Sequence, residues 1–368
     1  MTVRSFVPRA GHLSYWAIGL SIFAALAGIL PIAVALFGGV GSGGPSTAFA
    51  TAPPGTYIVY STTDGTSDTV WVAPVDDPAN ATEIAVVDHL DGYSPRGAVS
   101  PDGKKVALTV AEAGTVAHPG ASVLVVDLES GEVFRVAIDV DVLQTPVWAP
   151  DSASVVFTRN NNPDGELAIV TIHQVGIDGS NETEIGRHEG VLGVYLVGYD
   201  PQGRLVTVVI DGNGSTVHRG GQELRHISTE ITRDWELSPD GTQLAFIESD
   251  LTDGLRYRAR VVALDGNDPD FAAQAFDDGS QQLGVAWDPA GGPTFGREPS
   301  GGSGGVTAQG TSGGFDIPLS YSPDGSALAV QAWTGSSFES AGQMRYEIVR
   351  GGERVEVPAT RIFGWAVK

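Results

Sequence analysis

Cysteine is absent from the 368 residues. That single absence removes disulfides, thiolate metal sites, a cysteine nucleophile and a lipidated cysteine anchor together. Acidic residues are missing from positions 1–50, where Arg4 and Arg9 supply the charge. Basic residues are scarce in the remainder, which keeps 19 of the 21 lysines and arginines against all 44 acids. A surface of that sign repels phosphate backbones, so nucleic acid is excluded as a partner class. It suits a cation or a basic partner, and it also serves plain solubility. The seven histidines are scattered, without H-E-x-x-H or other close ligand spacing. No metal and no cofactor is therefore expected.

Glycine (49) and proline (22) are abundant, which favours many short strands joined by tight turns over long helices. The exception is the N-terminus. Residues 15–37 read YWAIGLSIFAALAGILPIAVALF, 23 residues without a charge. A helix of about 20 such residues spans a bilayer. Arg4 and Arg9 precede it and no basic residue follows before Arg96. The positive-inside rule then leaves residues 1–13 in the cytoplasm and everything after the span of residues 14–37 outside. Ala48-Phe49-Ala50 resembles a signal-peptidase site, so a cleaved, secreted form is the alternative, although the apolar stretch is long for a signal peptide. Residues 38–55 read as a Gly/Ser/Pro linker, and residues 56–368 as the folded domain.

Within that domain one pattern recurs six times. It is seen in GAVSPDGKKVALTV (97–110), PVWAPDSASVVFTR (146–159), VGYDPQGRLVTVVI (197–210), WELSPDGTQLAFIE (235–248), VAWDPAGGPTFGRE (285–298) and LSYSPDGSALAVQA (319–332). Proline fixes φ for a type I turn, Asp bonds the backbone two residues on, and Gly closes the hairpin. The run after each turn is nearly all apolar, as a strand covered on both faces requires. A second and third strand-like run come next, such as SVLVVDLESG (122–131) and VFRVAI (133–138). Each unit is thus about four short antiparallel strands, the blade of a β-propeller. The SPDG serine and aspartate are fully explained by turn chemistry and are not read as catalytic.

The ends extend the count. RIFGWAVK (361–368) resembles the strand before an anchor, and GTYIVYSTTDGTSDTVWVAPVD (55–76) resembles the strands after one. Joined, they complete a further blade and leave no open sheet edge. Over residues 51–368 this gives seven units of about 45 residues. The expectation is an all-β, seven-bladed propeller with N/C-terminal strand closure, preceded by one transmembrane helix. The count is six if the sixth unit, whose 299–314 segment is mostly Gly and Ser, has decayed.

The SPDG-type anchors, each followed by an apolar strand and a Val/Leu-Asp-Gly segment, resemble the WD40-like (PD40) repeats of TolB-type propellers. The resemblance covers roughly 56–368. It implies an extracytoplasmic module that binds other proteins, and it is poorly specific for activity. Related propellers carry a prolyl-oligopeptidase hydrolase. No such domain is expected here, and no G-x-S-x-G elbow is expected either.

In this topology the SPDG turns share one rim, and the links between blades share the other. The candidate ligand-binding residues lie on those links: Asp88, His89, Asp91, Arg96, Asp139, Asp141, His188, Glu189, Arg233, Asp234, Asp277, Asp278 and Arg361. His89 and His188 are expected to face acids across the central funnel. Asp64, Asp68, Asp164, Asp211, Asp250 and Asp253 add acidity from the hairpins. Asn160, Asn162 and Asp164 stand at calcium-loop spacing, but Thr171 occupies the position that needs Glu, so a plain turn is expected. The composite expectation is a non-enzymatic, membrane-anchored binding module at the cell envelope. Its partner would be a protein or an envelope polymer, a basic one suiting the charge. The alternatives are an enzyme using the funnel, glycan-cleaving or lactone-hydrolysing, and a sensor ectodomain.

Overall fold

The structure is a computed structural model that describes residues 49–116, 118–161, 167–251, 255–265, 273–276, 279–298 and 314–368. The cytoplasmic tail, the apolar span, residues 38–48 of the linker, Asp277, Asp278 and positions 162–166 of the calcium-like loop lie outside the described residues. Among the described residues all regular structure is β.

The strands fall into consecutive antiparallel groups. The first comprises β1 (Thr56–Thr63), β2 (Ser67–Pro74) and β3 (Thr82–Asp88). The second is β4 (Arg96–Val99), β5 (Lys105–Thr115), β6 (His118–Asp127) and β7 (Val133–Ile138). The third is β8 (Val147–Trp148), β9 (Ser154–Asn160), β10 (Ala168–Gly176) and β11 (Thr183–Val191). The fourth is β12 (Gly193–Tyr199), β13 (Leu205–Asp211), β14 (Gly214–Arg219) and β15 (Gln222–Ser228). The fifth is β16 (Ile231–Leu237), β17 (Gln243–Asp250), β18 (Arg256–Ala263) and β19 (Ala273–Gln274). Then come the pair β20 (Gln282–Trp287) and β21 (Pro293–Arg297), and a last group of β22 (Phe315–Tyr321), β23 (Leu328–Trp333), β24 (Met344–Arg350) and β25 (Glu353–Val357). The final strand, β26 (Arg361–Val367), returns to the first group and makes it a sheet of order β26-β1-β2-β3.

The outcome is a propeller of six four-stranded blades, with the two-stranded β20–β21 sheet between the fifth group and the last. The expected seventh four-stranded blade is not present among the described residues. Its anchor at Pro289 forms a turn and a hairpin. The tract after it, which lies outside the described residues from position 299, is mostly Gly and Ser, residues that disfavour a strand.

Packing explains the sequence pattern. Buried clusters join each sheet to its neighbour, as where Leu108 and Val110 of β5 meet Val59 and Phe363. The second strand of a blade is pressed from both sides, so Val106–Ala111 of β5 are buried without a break. Outer strands are covered less, and β11 is exposed along most of its length. Phe49, just ahead of β1, is also buried, its ring edge-on to Tyr57 at 5.2 Å.

The repeated turn has two jobs. Within a blade, Ser100 Oγ donates to Asp102 Oδ1 (2.6 Å) and accepts from Lys105 N (3.0 Å), and the same pair of bonds recurs at Ser238 and Ser322. Between blades, the turns lean on one another. A methyl group at Gly241 would stand 2.5 Å from Pro201 Cδ, and one at Gly103 would stand 2.7 Å from Val367 N. Asp102 N donates to Ser152 Oγ of the next anchor (3.1 Å). A repeated turn is therefore a repeated clasp that sets the spacing of adjacent blades. Gly241 also holds φ +68°, so Gly241→Ala combines left-handed strain with a collision. A loss of about 2–4 kcal/mol is expected by urea denaturation, whereas an unchanged midpoint would remove the clasp from the account.

Candidate functional site

The first strands of successive sheets touch one another: β26 with β4, β4 with β8, β8 with β12, β12 with β16, β16 with β20 and β20 with β22. Trp365 Nε1 donates to Ser320 Oγ (3.0 Å), which ties β26 to β22 and completes this inner ring. Links from an outer strand to the next inner strand all arrive at the same rim.

Five of the candidate residues are brought into two groups on the inner ring. Arg96 opens β4 and Arg361 opens β26, close enough to interact electrostatically. Burial, then Arg361, pulls the Arg96 guanidinium down, while Asp141 opposes that shift. Asp141 is held on the link before β8 by its bond from Leu143 N (3.0 Å), and burial raises its carboxyl. Further round the ring, Arg233 lies 3.2 Å from Asp234. Asp234 takes the left-handed conformation (φ 52°) within a β-bulge of β16 and accepts from Gly284 N of β20 (3.1 Å). The adjacent Asp234 raises the Arg233 pKa despite burial.

Two residues not singled out in the sequence also belong to this ring. Glu236 is half-buried on β16, and burial pushes its carboxyl up to about 7. Tyr195 on β12 stacks obliquely on Trp235 at 4.7 Å, and burial and then Asp141 raise its hydroxyl. Both sit in alternating strand patterns that look ordinary in one dimension.

Other candidates are placed elsewhere. Asp91 and Asp139 are exposed on the links, and Asp88 is the exposed last residue of β3. His89 is not: its side chain is 1% exposed, and the supposed hairpin acid Asp68 is fully buried beside it. Asp68 Oδ1 accepts from His89 Nε2 (2.8 Å) and Ser94 Oγ (3.2 Å), and Oδ2 accepts from Ser61 Oγ (2.5 Å). His89 Nδ1 donates to Leu90 O (2.8 Å). Facing a carbonyl on one side and a carboxylate on the other, the ring carries both protons. These bonds tie the link after β3 back onto β1 and β2. His188 and Glu189 are not in a link near the funnel either, because β11 continues to Val191 and places them on an outer strand. There His188 meets His218 edge-on at 4.9 Å, and Glu189 pairs with Arg187. Burial lowers the pKa of both histidines.

A second charged network lies on the last blade. Arg354 binds Asp316 through two nitrogens (2.7 and 2.9 Å) and also reaches Glu347, which Arg345 contacts from its other side. Two acids face two arginines, so charge is balanced. Among the described residues no group of three acids or histidines is placed to hold a metal. The letters G-x-S-x-G do occur at 301–305 and 310–314, in the Gly/Ser tract whose positions 299–313 lie outside the described residues.

No protein-family model matches the sequence, and no curated protein does. Solved structures do match. TolB from Acinetobacter baumannii is similar at 14% identity and a TM-score of 0.50, over 85% of this chain and 66% of that one. The chain is a β-propeller. A puromycin hydrolase is similar at 15% identity and a TM-score of 0.54, over 88% of this chain and 54% of that one. One of two prolyl endopeptidases gives 16% and 0.50, over 85% and 50%. The chain thus spans between half and two-thirds of these neighbours, and at such identities the likeness carries the fold alone.

Proposed function

We propose that this chain is a membrane-anchored, extracytoplasmic propeller that binds a protein or envelope polymer on its link-bearing rim. The observation behind this reading is the spread of the exposed candidate charges. Asp88 ends the outer strand of one blade, Asp91 follows it on the link, and Asp139 lies on the link after the next blade. Charges carried on successive blades of a rigid ring suit an extended partner better than a small substrate. The apolar span 14–37 supplies the anchor and Arg4 and Arg9 its orientation. The β20–β21 hairpin, continued by the tract after it, is the remnant of a seventh blade.

Crosslinking the full-length protein in its native membrane and identifying what co-purifies tests the reading. A stoichiometric partner is expected. Reversing Asp88, Asp91 and Asp139 to lysine is expected to cut its recovery about tenfold at low salt. Recovery of the protein alone, or of a partner indifferent to those changes, would defeat the proposal.

A second reading is favoured by Glu236. A carboxyl titrating near 7 on the inner ring, with Asp141 also raised, has the properties of a general acid. It supports an enzyme using the funnel, of the glycan-cleaving or lactone-hydrolysing kind, and the hydrolase and peptidase neighbours leave room for it.

A further inference from the structure

Strands β26 and β4 pack directly against each other. A methyl group at Gly97 would stand 3.1 Å from Phe363 Cδ1, and one at Gly364 would stand 3.4 Å from Val99 Cγ2. The glycines in Arg96-Gly97-Ala98-Val99 and Arg361-Ile362-Phe363-Gly364 let the two strands approach. Each strand opens with an arginine, so the approach brings two guanidinium groups together. Arginine does not shed its proton in proteins, so the repulsion has to be met by neighbours or by something bound. Asp141 opposes it on the Arg96 side. Arg361 is different. Its Nε is buried and has no hydrogen-bond partner, an expensive condition for a charged donor. Arg354, by contrast, is met by both Asp316 and Glu347. Here two guanidinium groups stand within electrostatic reach of each other, in a domain whose overall charge is strongly negative.

We propose that Arg96 and Arg361 form an oxyanion site at the inner ring, which receives a carboxylate or phosphate group of a ligand entering from the link-bearing rim. The oxyanion accepts from the unpartnered Arg361 Nε and offsets the repulsion between the two guanidinium groups. Paired guanidinium groups suit this chemistry because each presents a fixed fork of donors to two oxygens. Tyr346 interacts electrostatically with Arg361, and Tyr195 with Asp141. The site is separate from the exposed acids of the rim, so it stands or falls without them.

Thermal unfolding of the full chain in detergent tests it, in chloride, inorganic phosphate and citrate at equal ionic strength. Phosphate or citrate at millimolar concentration is expected to raise the midpoint by about 3 °C over chloride. Both anions also stabilise proteins generally by exclusion from the surface, so the variants decide. Arg361→Gln and Arg96→Gln are expected to lose most of the rise, and Arg361→Lys to keep part of it. A response to citrate alone assigns a carboxylate ligand, and a response to phosphate alone a phosphoryl one. In chloride, Arg361→Gln is expected to melt no lower than the parent, because it removes an unmet charge. Equal rises in parent and variants, or no rise at all, would overturn the site. A steep loss of stability for Arg361→Gln in chloride would make the arginine structural and overturn it too.

Discussion

A chain ended after Thr360 is expected to lose its cooperative unfolding transition. The residues removed include β26, the inner strand of the first sheet, which pairs with β1 from Thr56 to Ser61. Phe363, Trp365 and Ala366 are buried, and they fill two different seams. Phe363 packs with Leu108 and Val126 on one side, and Trp365 with Ala329 and Ile348 on the other. Truncating one buried aromatic to alanine costs about 3–5 kcal/mol, and a domain's whole stability is about 5–15 kcal/mol. Losing two such side chains, the ladder to β1 and the Gly103 clasp against Val367 together therefore exhausts the margin. Urea denaturation followed by circular dichroism reads the outcome. Trp365→Ala alone should lower stability by about 3–5 kcal/mol and keep the transition sharp. A truncated chain with an unchanged midpoint would show that closure contributes nothing to stability.

Asp68→Ala is expected to cost about 3–5 kcal/mol at pH 6, because it strands His89 without its carboxylate. Burial alone would raise the Asp68 carboxyl, but the bonds from His89 and Ser61 outweigh it and hold it below the ordinary carboxylate range. Burial alone would lower His89, but the bonds to Asp68 and Leu90 outweigh that and raise it. The two signs give opposite slopes. The contribution of His89 is complete below its unfolded pKa of about 6.5 and fades as pH rises through its higher folded value. That of Asp68 is complete above about 3.9 and fades as pH falls through its lower folded value. Stability from the pair is thus greatest between about pH 4 and 6.5. The denaturation midpoint of the parent should fall on both sides of that window, and Asp68→Ala should flatten the fall on the alkaline side. A parent whose midpoint climbs steadily from pH 6 to 8 would contradict the doubly protonated histidine.

The blades were readable because their punctuation is local. Ser-Pro-Asp-Gly makes its own hydrogen bonds within five residues, and the apolar runs after it need only a strand's period of two to be recognised. The closure of the two ends was readable for the same reason, since each half-motif keeps its register in isolation. Site residues obeyed a different logic. Asp68 looks like a polar hairpin residue and His89 like a polar link, and only folding across 21 positions turns them into a buried pair. His188 was misplaced by a matter of strand length, because β11 uses up the residues that would have formed the link. Glu236 stands between Trp235 and Leu237 as any solvent-facing strand residue would, and the burial that raises its carboxyl is not visible in that pattern. Arg96 and Arg361 were picked as individual charges, whereas their juxtaposition depends on glycines that allow two strands to close up.

The pairing of β26 with β1 has a temporal consequence. Thr63 N donates to Thr360 Oγ1 across 297 positions of sequence, while neighbouring strands inside a blade are linked by short turns. Local hairpins form before contacts of such separation, since the entropy of closing the longest loop is met only once other structure has shortened it. The propeller is accordingly an open arc for as long as its last strand is missing. Arg96 stands at one side of that final seam and Arg361 arrives with the strand that seals it. A ligand that needs both arginines thus recognises only finished molecules, and its binding would serve as a report that the ring has closed.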